Sequence, residues 1–194
     1  VKPTFAETRN AKIKKKKAED MPKDSVAIIR ISDASITKFA NASGYKMGRD
    51  AQMAVAIGLG TKTLPASALK DTPKDKKAKK SKKKDKNAAA PKINKDAAND
   101  MLIYYFATGD TIRLHYVAAY DVNSSGTCLA YINRDKKDCN KVKVMNMGDG
   151  STIHESENAT YMTSLQFNWK GDRFMYLAAQ DTTSSGSKHC SLYE

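Results

Sequence analysis

The second half of the chain repeats one pattern, in which short apolar segments are separated by turns rich in Gly, Ser and Asp. From Met101 onward these segments recur about every ten residues, and several of them alternate apolar with polar residues. Successive side chains of a β-strand point to opposite faces, whereas a helix repeats about every 3.6 residues. The sequence therefore predicts a mainly β fold, either an antiparallel β-sandwich or a small barrel.

Two stretches of this half, 101–121 and 160–180, are predicted to be β-hairpins with short turns that contain Gly. In the first hairpin, one face of the second strand is predicted to carry Ile112, Leu114, Tyr116, Ala118 and Tyr120. In the second hairpin, one face of the first strand is predicted to carry Tyr161, Thr163, Leu165, Phe167 and Trp169. Further strands are predicted over TCLAYIN, KVKVMNM and the final KHCSLYE.

The first half of the chain is less regular. Pro22 and Asp24 precede a β-rich run at 25–31, which predicts the first core strand. The stretch 37–50 is predicted to be loop-like, with at most one helical turn. An apolar run broken by glycines lies in 51–65, and at this length its periodicity leaves both a buried strand and a short helix open.

The formal charge of +13 invites a nucleic-acid interpretation, but this charge lies in two segments. Residues 1–24 contain eight Lys and Arg against four Asp and Glu, a balance of +4. Residues 70–96 contain twelve Lys against four Asp, a balance of +8. The rest of the chain keeps only +1, so binding of a polyanion over the whole surface is not expected.

These segments define the predicted organisation: a basic N-terminal arm, 1–24, and a single β domain, 25–194, interrupted by a lysine-rich insertion, 70–96. The insertion is too polar to bury a core of its own. Its cations are all lysines, without arginine or interleaved aromatic residues, which favours diffuse, salt-sensitive attraction. The candidate contacts with a polyanion or an acidic partner are Lys14, Lys15, Lys16, Lys17, Lys76, Lys77, Lys79, Lys80, Lys82, Lys83, Lys84 and Lys86. The alternative is a solvated insertion that only keeps neighbouring strands apart.

Cysteine usage and the first residue bear on the compartment. A disulfide between Cys128 and Cys139 would close a loop of about a dozen residues and stabilise the fold by roughly 3 kcal/mol. Cys190 would be left over, and the alternative is three reduced thiols. A chain that begins at Val1 is compatible with a removed export signal or with simple trimming. Together these features predict an extracytoplasmic protein, in the periplasm, in the cell envelope or secreted. Three N-x-S/T sequons, at Asn41, Asn123 and Asn158, fall where a glycan could fit.

Motifs that carry chemistry are absent from the sequence. It contains no GxSxG nucleophile elbow, no complete phosphate loop, and no pair of His or Cys at zinc-binding spacing. We therefore expect no cofactor, no metal and no enzymatic role. A small hydrolase or a ligand-carrying barrel is a further alternative to a non-enzymatic role. In that case His115, Tyr104 and Tyr116 would be the first residues to inspect.

The predicted function is that of a structural or accessory component of an exported, cell-envelope or surface assembly. Its β scaffold and basic appendages would bind partner proteins of a larger complex. The alternative is a polyanion-binding structural protein of a ribosome-like or viral particle, with nucleic acid as its partner. No run of about 20 apolar residues occurs, so a transmembrane segment is not expected.

Overall fold

The computed structural model describes residues 1–16, 21–62, 98–136, 139–180 and 190–193. Over these residues the chain is mainly β with antiparallel sheets, which confirms the predicted class. The elements are α1 (Phe5–Ile13), β1 (Ser25–Ile29), β2 (Ile36–Ala40), β3 (Ala42–Lys46), β4 (Ala54–Lys62), β5 (Asn99–Tyr105), β6 (Thr111–Val122), β7 (Cys128–Lys136), β8 (Cys139–Asn146), β9 (Thr152–Glu155), β10 (Tyr161–Phe167), β11 (Phe174–Ala179) and β12 (Ser191–Tyr193).

The described strands form three antiparallel sheets. β1 pairs with β2, the seven strands from β3 to β9 pair in chain order, and β10, β11 and β12 form the third sheet. Each strand of the large sheet pairs with the next strand in sequence, and the pair of β5 and β6 is the hairpin predicted at 101–121. β3 and β9 lie at the two edges of this sheet, so the described strands do not close into a barrel.

β6 changes its partner along its length and bends the large sheet. Residues 111–114 pair with β5, whereas residues 119–122 pair with β7. The register shifts on both sides of Val117, and Tyr116 has a φ of 61°. These are the marks of β-bulges, which bend a strand and increase its twist.

The bend gives the two halves of the large sheet a common core. Ala56 of β4 and Ile103 of β5 belong to the same buried cluster as Leu129 of β7 and Met145 of β8. All four are nearly or completely buried. The apolar core therefore lies on the side toward which the sheet bends.

The bulges also correct the face predicted for this strand. Val117 is buried in the same cluster against which Leu114 packs, although strict alternation puts the two residues on opposite faces. Ile112 shares the face of Leu114 as predicted, because Ile112 lies opposite Ile103 and Leu114 lies opposite Met101, but Ile112 is exposed near the start of the strand. Alternation holds only between bulges, because each extra residue reverses the phase of the side chains that follow it.

The two smaller sheets pack on the large sheet in separate places. Val26, Ile28 and Phe39 of the β1–β2 hairpin pack on a cluster formed mainly by β4 and β5. Met162 and Leu165 of β10 pack instead on buried side chains of β7 and β8. The hairpin is thus anchored on the part of the large sheet that β4 and β5 form.

Several local predictions need correction. The stretch 37–50 contains most of β2 and all of β3, and the ambiguous run in 51–65 contains the strand β4. β9 was not predicted, because its four residues, TIHE, include a single apolar residue, Ile153, and show no alternation. A strand within 25–31 is confirmed as β1, which ends at Ile29, but it is not the core strand that the sequence predicts, because none of its residues is buried and it belongs to the two-stranded sheet.

The predicted disulfide between Cys128 and Cys139 is absent. These two cysteines and Cys190 are all free thiols. Cys128 pairs with Asn146 at one end of the β7–β8 hairpin, whereas Cys139 pairs with Lys136 at the other end. Eight residue steps of extended chain separate the two ends, or roughly 25 Å. A disulfide requires Cα atoms within about 7 Å of each other, so this pair cannot form one without refolding of the hairpin.

The N-terminal region contributes one helix outside the sheets. The Thr4 hydroxyl accepts a hydrogen bond from the Glu7 backbone N–H, and the Glu7 carboxylate accepts one from the Thr4 N–H, which forms a capping box. Three of the candidate contact lysines, Lys14, Lys15 and Lys16, follow the helix. The other candidate lysines lie outside the described residues: Lys17, and, in the insertion 70–96, Lys76, Lys77, Lys79, Lys80, Lys82, Lys83, Lys84 and Lys86. No helix in the described parts of the chain has the length and apolarity to cross a membrane.

Candidate interaction surface

The turn of the β1–β2 hairpin displays large apolar side chains to solvent. Ile29 is 60%, Ile31 96% and Ile36 56% exposed. Ile29 and Ile31 follow the part of β1 that packs on the sheet, and Ile36 precedes the part of β2 that does so, so all three lie beyond the core. Exposed isoleucines are unremarkable when they are scattered, but three of them at one turn form a local apolar surface.

Polar contacts fix the conformation of this turn. Asp33 Oδ1 accepts a hydrogen bond from the Ser35 N–H at 3.0 Å, and the Ser35 carbonyl accepts one from the Arg30 N–H at 2.9 Å. The hydrogen bonds from Ser35 lower the pKa of Asp33, to which the charge of Arg30 adds a smaller contribution. The turn therefore presents its apolar side chains on an ordered backbone.

Beneath the turn lies an apolar groove of about 450 Å³. One wall is the core-facing side of the hairpin, with Ile28 and Thr37. The opposite wall is formed by Tyr104 and Phe106 of the β5 region and by Met47 of the β3–β4 connection. The hairpin thus covers its half of the sheet only partly, and the uncovered part is lined by aliphatic and aromatic groups.

Three chain connections meet next to this groove. They are 47–53 between β3 and β4, 123–127 between β6 and β7, and 168–173 between β10 and β11. The Asp50 N–H donates to the Ser124 carbonyl at 2.9 Å, and the Ser124 hydroxyl donates to the Lys170 carbonyl at 3.0 Å. We call this group of connections the loop platform.

Asn123 joins the connections through its side chain. Its Oδ1 accepts hydrogen bonds from the N–H groups of Thr127 and Cys128, at 2.9 and 3.0 Å. Its Nδ2 donates to the Thr127 hydroxyl at 3.2 Å and to the Gly171 carbonyl at 3.4 Å. The residue is only 5% exposed, so its sequon is not available to a glycan.

Trp169 is the most prominent side chain of the loop platform. It lies two residues beyond the end of β10 and is 79% exposed, although alternation predicts that it shares a face with Leu165. The guanidinium of Arg49 lies 4.7 Å from the centroid of a Trp169 ring, at cation–π distance. Asn168 Oδ1 fixes the turn behind it by accepting hydrogen bonds from Gly171, Asp172 and Arg173 backbone N–H groups.

The groove and the loop platform form one surface, because they share the β3–β4 connection. Met47 and Ala51 line the groove, and Arg49, which lies between them in sequence, stacks on Trp169. An apolar groove and an aromatic side chain stacked on a cation therefore stand side by side on a backbone that hydrogen bonds hold in place. We call this region the hairpin–platform surface.

A second cluster surrounds His115. The buried carboxylate of Asp100 accepts a pair of hydrogen bonds from Arg113 Nε and Nη2, and its other oxygen lies 3.0 Å from His115 Nδ1. A carboxylate in this position orients an imidazole as in general acid–base sites. Tyr116 is adjacent to His115, with ring centroids 6.4 Å apart, whereas Tyr104 is buried under the hairpin. The three residues singled out from sequence therefore do not form one site.

The remaining candidates for chemistry do not assemble into a site in the described residues. His154 lies on β9 with its ring 6.3 Å from that of Phe174. Its neighbour Glu155 forms ion pairs with Lys141 and Lys143, and the hydrogen bond from Lys141 is the main cause of the lowered pKa of Glu155. Within the part of the chain that the structure describes, no three His, Cys, Asp or Glu side chains gather as metal ligands do.

Sequence reasoning missed Asp100, Arg49 and Trp169 as members of these clusters. Asp100 stands in the turn-like AAND, where a carboxylate usually marks a loop, and only the pairing of β5 with β6 brings it to His115. A signal for Trp169 was present, because the KGD turn follows it directly and a strand end is often exposed.

No protein-family model matches this chain, and no curated protein matches it. Several solved structures are similar to it. The β-propeller domain of the Trilobed protease from Pyrococcus furiosus is 14% identical with a TM-score of 0.47, over 79% of this chain and 38% of that chain. Pyrococcus horikoshii acylaminoacyl peptidase is 13% identical with a TM-score of 0.44, over 72% and 17% of the two chains. An acylaminoacyl peptidase in complex with a chloromethyl ketone is 15% identical with a TM-score of 0.47, over 76% and 19%.

These comparisons contradict the prediction that the chain is not an enzyme, because all three solved structures come from proteases or peptidases. That prediction is withdrawn. The chain spans less than two fifths of the length of each of these neighbours. At TM-scores of 0.44 to 0.47 no activity of this chain rests on the likeness, and the peptidase activities are stated of the neighbours alone.

Proposed function

We propose that this chain is a partner-binding β domain of a larger protein assembly and that its partner docks on the hairpin–platform surface. The observation that carries the proposal is the juxtaposition of an apolar groove, three exposed isoleucines and an exposed Trp169 stacked on Arg49. Contiguous apolar surface of this kind is typical of protein interfaces. Trp and Arg are also the residues most often found to dominate binding energies.

The fixed backbone beneath the surface supports the same proposal. Association costs free energy for each side chain and loop that must be ordered, so a surface already held by hydrogen bonds binds more tightly than a mobile one. The turn at Asp33 and the loop platform at Ser124 and Asn123 are both held in this way. The side chains that would contact the partner therefore need little reorganisation.

The finer features of the proposal come from sequence. A sandwich-type arrangement would serve as the rigid scaffold, and the basic arm and the lysine-rich insertion would reach toward acidic neighbours in the assembly. An extracytoplasmic location stays a prediction. Polyanion binding also stays a prediction, since the lysines of the insertion on which it depends lie outside the described residues.

Partner capture with surface variants tests the proposal. The full chain is expressed in its native cells and cross-linked, and the captured proteins are quantified by mass spectrometry. Ile31→Asp and Trp169→Ala should each deplete the same partner, by about tenfold or more for a residue worth roughly 2 kcal/mol. Both side chains are exposed, so circular dichroism should show an unchanged fold.

Ile153→Asp is the matched control. Ile153 is 58% exposed on β9, outside the groove, so the same charge is introduced on another apolar side chain. The partner should remain bound to this variant. If every captured protein is retained by Ile31→Asp and Trp169→Ala, or is lost equally from Ile153→Asp, the hairpin–platform surface is not the docking site.

A further inference from the structure

A cavity of about 480 Å³ lies between the third sheet and the stretch 154–159, which contains the end of β9. It shares no residue with the groove or the loop platform. Ala178 of β11 lies opposite Met162 of β10 on one side and opposite Ser191 of β12 on the other, so the three side chains share one face. Met162 and Ala178 are buried against the large sheet, whereas Ser191 is exposed. The cavity therefore forms where the third sheet extends beyond the part that the large sheet covers.

The floor of the cavity is apolar and one wall is aromatic. Met162 and Ala178 supply the floor, and Tyr176 lies beside them on the same face. The ring of Tyr193 stacks on that of Tyr176, with centroids 5.3 Å apart and an interplanar angle of 13°. Tyr176 is buried, whereas Tyr193 is 46% exposed. The stacking therefore holds an exposed aromatic ring in a fixed orientation at the mouth of the cavity.

The rim of the cavity carries polar groups that hydrogen bonds hold in place. Asn158 Oδ1 accepts a hydrogen bond from the Cys139 thiol at 3.2 Å, and Gln180 Nε2 donates one to the Asn158 carbonyl at 2.8 Å. In the part of the chain that the structure describes, Asn158 Nδ2, Gln180 Oε1 and the Glu157 carboxylate have no protein partner. The rim thus presents both donors and acceptors on side chains whose orientation is already fixed.

The charge around the cavity is small. Glu155 also lines it, but Lys141 and Lys143 form ion pairs with its carboxylate at the outer side. Among the described lining residues, Glu157 is then the carboxylate without a cationic partner. A single carboxylate beside two neutral amides favours a ligand that is itself neutral and both donates and accepts hydrogen bonds.

We infer that this cavity binds a saccharide of one or two rings, which is a second binding site beyond the proposed docking of a partner protein. Hydroxyl groups of the sugar would donate to Glu157 and Gln180 Oε1 and accept from Asn158 Nδ2. The C–H face of a pyranose ring is apolar and would pack on Tyr193 and on the apolar floor. A cavity of this volume lies within the usual range for small-molecule sites, which combine an apolar lining with a few placed polar groups.

The rim distinguishes a sugar from an amine. The Glu157 carboxylate would attract an ammonium group, but such a group carries only donors. It would leave the N–H groups of Asn158 Nδ2 without an acceptor, and an unsatisfied donor costs binding energy. Hydroxyl groups satisfy the carboxylate and the amide together.

Cellobiose, maltose and N,N′-diacetylchitobiose serve as the probes, each with the full chain. Saturation-transfer NMR should detect binding of at least one of them, with the strongest transfer to the ring C–H protons, and calorimetry gives its affinity. The affinity should be the same in about 50 and about 500 mM salt, because a neutral ligand has no charge to be screened.

Tyr193→Ala and Glu157→Ala should each weaken this binding by about tenfold or more, whereas Tyr193→Phe keeps the ring and should retain the affinity. The side chains of Tyr193 and Glu157 are exposed, so circular dichroism should show an unchanged fold. Tyr45→Ala is the matched control, since Tyr45 is a 64% exposed tyrosine on β3, at the edge of the large sheet opposite to β9. It should bind the sugar as wild type does.

The inference is overturned if none of the three sugars binds, or if Tyr45→Ala weakens binding as much as Tyr193→Ala. A loss of affinity at high salt would also contradict it. Trp169→Ala should bind the sugar normally, and its failure to do so would place the sugar on the loop platform instead. The proposed function is tested separately, because Tyr193→Ala should still capture the partner protein that Trp169→Ala loses.

Discussion

Asn123 illustrates how a single polar side chain can specify a contact between distant parts of the chain. Its amide oxygen accepts two hydrogen bonds, from Thr127 and Cys128, and its amide nitrogen donates two, to Thr127 and to Gly171, which is 48 residues away in sequence. The sequence around Asn123, VNSSG, predicts a turn but not this long-range contact. Side chains of this type connect a local turn to the tertiary structure because a buried amide must find partners for its donors and acceptors.

Asn123→Ala should destabilise the fold by roughly 2–4 kcal/mol, since it leaves the N–H groups of Thr127 and Cys128 without their acceptor. Urea unfolding followed by circular dichroism measures the change. Asn10→Ala, on the exposed face of α1, should show no loss of stability because Ala is the better helix former. An Asn123→Ala variant as stable as wild type would mean that the amide does not hold the connections together.

At the scale of elements, the positions of most strands were predictable from the sequence, but the side chains of each strand that face the core were not. A period of two and frequent turns identify β5, β6, β7, β8, β10 and β11 without knowledge of their neighbours. Positive φ angles at Tyr116 and Ser164 then interrupt the alternation, so that Met162 and Leu165 of β10 pack in the same core although they are three residues apart. A bulge depends on the pairing of two strands, so the sequence of one strand does not reveal it.

Ser164→Gly should be neutral or stabilise the protein by up to about 1 kcal/mol, because Ser164 is exposed and has a φ of 56°. Gln166→Gly on the same strand is the comparison. Gln166 is also exposed but has no positive φ, so glycine should destabilise the strand there by roughly 0.5–1 kcal/mol. Thermal unfolding of both variants measures these changes. Equal losses of stability in the two variants would show that Ser164 bears no backbone strain.

At the scale of the molecule, the large sheet is bent so strongly that connections from separate hairpins touch. The hydrogen bond from the Asp50 N–H to the Ser124 carbonyl joins the β3–β4 connection to the β6–β7 connection, three strands along the sheet. Sequence reasoning identified each of these connections as a turn or loop. It could not predict the contact between Arg49 and Trp169, because this contact depends on the curvature of the sheet and on the position of β10, which no local sequence pattern encodes.

Two glycines with nearly the same backbone conformation test whether this contact between connections holds the molecule together. Gly126 has a φ of +73°, and a Cβ built there would lie 2.3 Å from the Ala51 Cβ and 2.9 Å from its Cα. Gly109 has a φ of +78°, and a Cβ built there would have no neighbouring atom within 4 Å. Gly109→Ala should therefore cost about 1 kcal/mol for the positive φ alone. Gly126→Ala should cost roughly 3–5 kcal/mol, because it must also push the β3–β4 connection away.

Trp169 is the only tryptophan of the chain, so its fluorescence reports on the loop platform while urea unfolding measures stability. Displacement of the β3–β4 connection by Gly126→Ala should move Arg49 away from the Trp169 ring, shifting the emission of the folded state and increasing quenching by acrylamide. Gly109→Ala should leave both signals as in wild type. If the two variants lose equal stability and show equal fluorescence, the connections pack independently, and the hairpin–platform surface is not held as one unit.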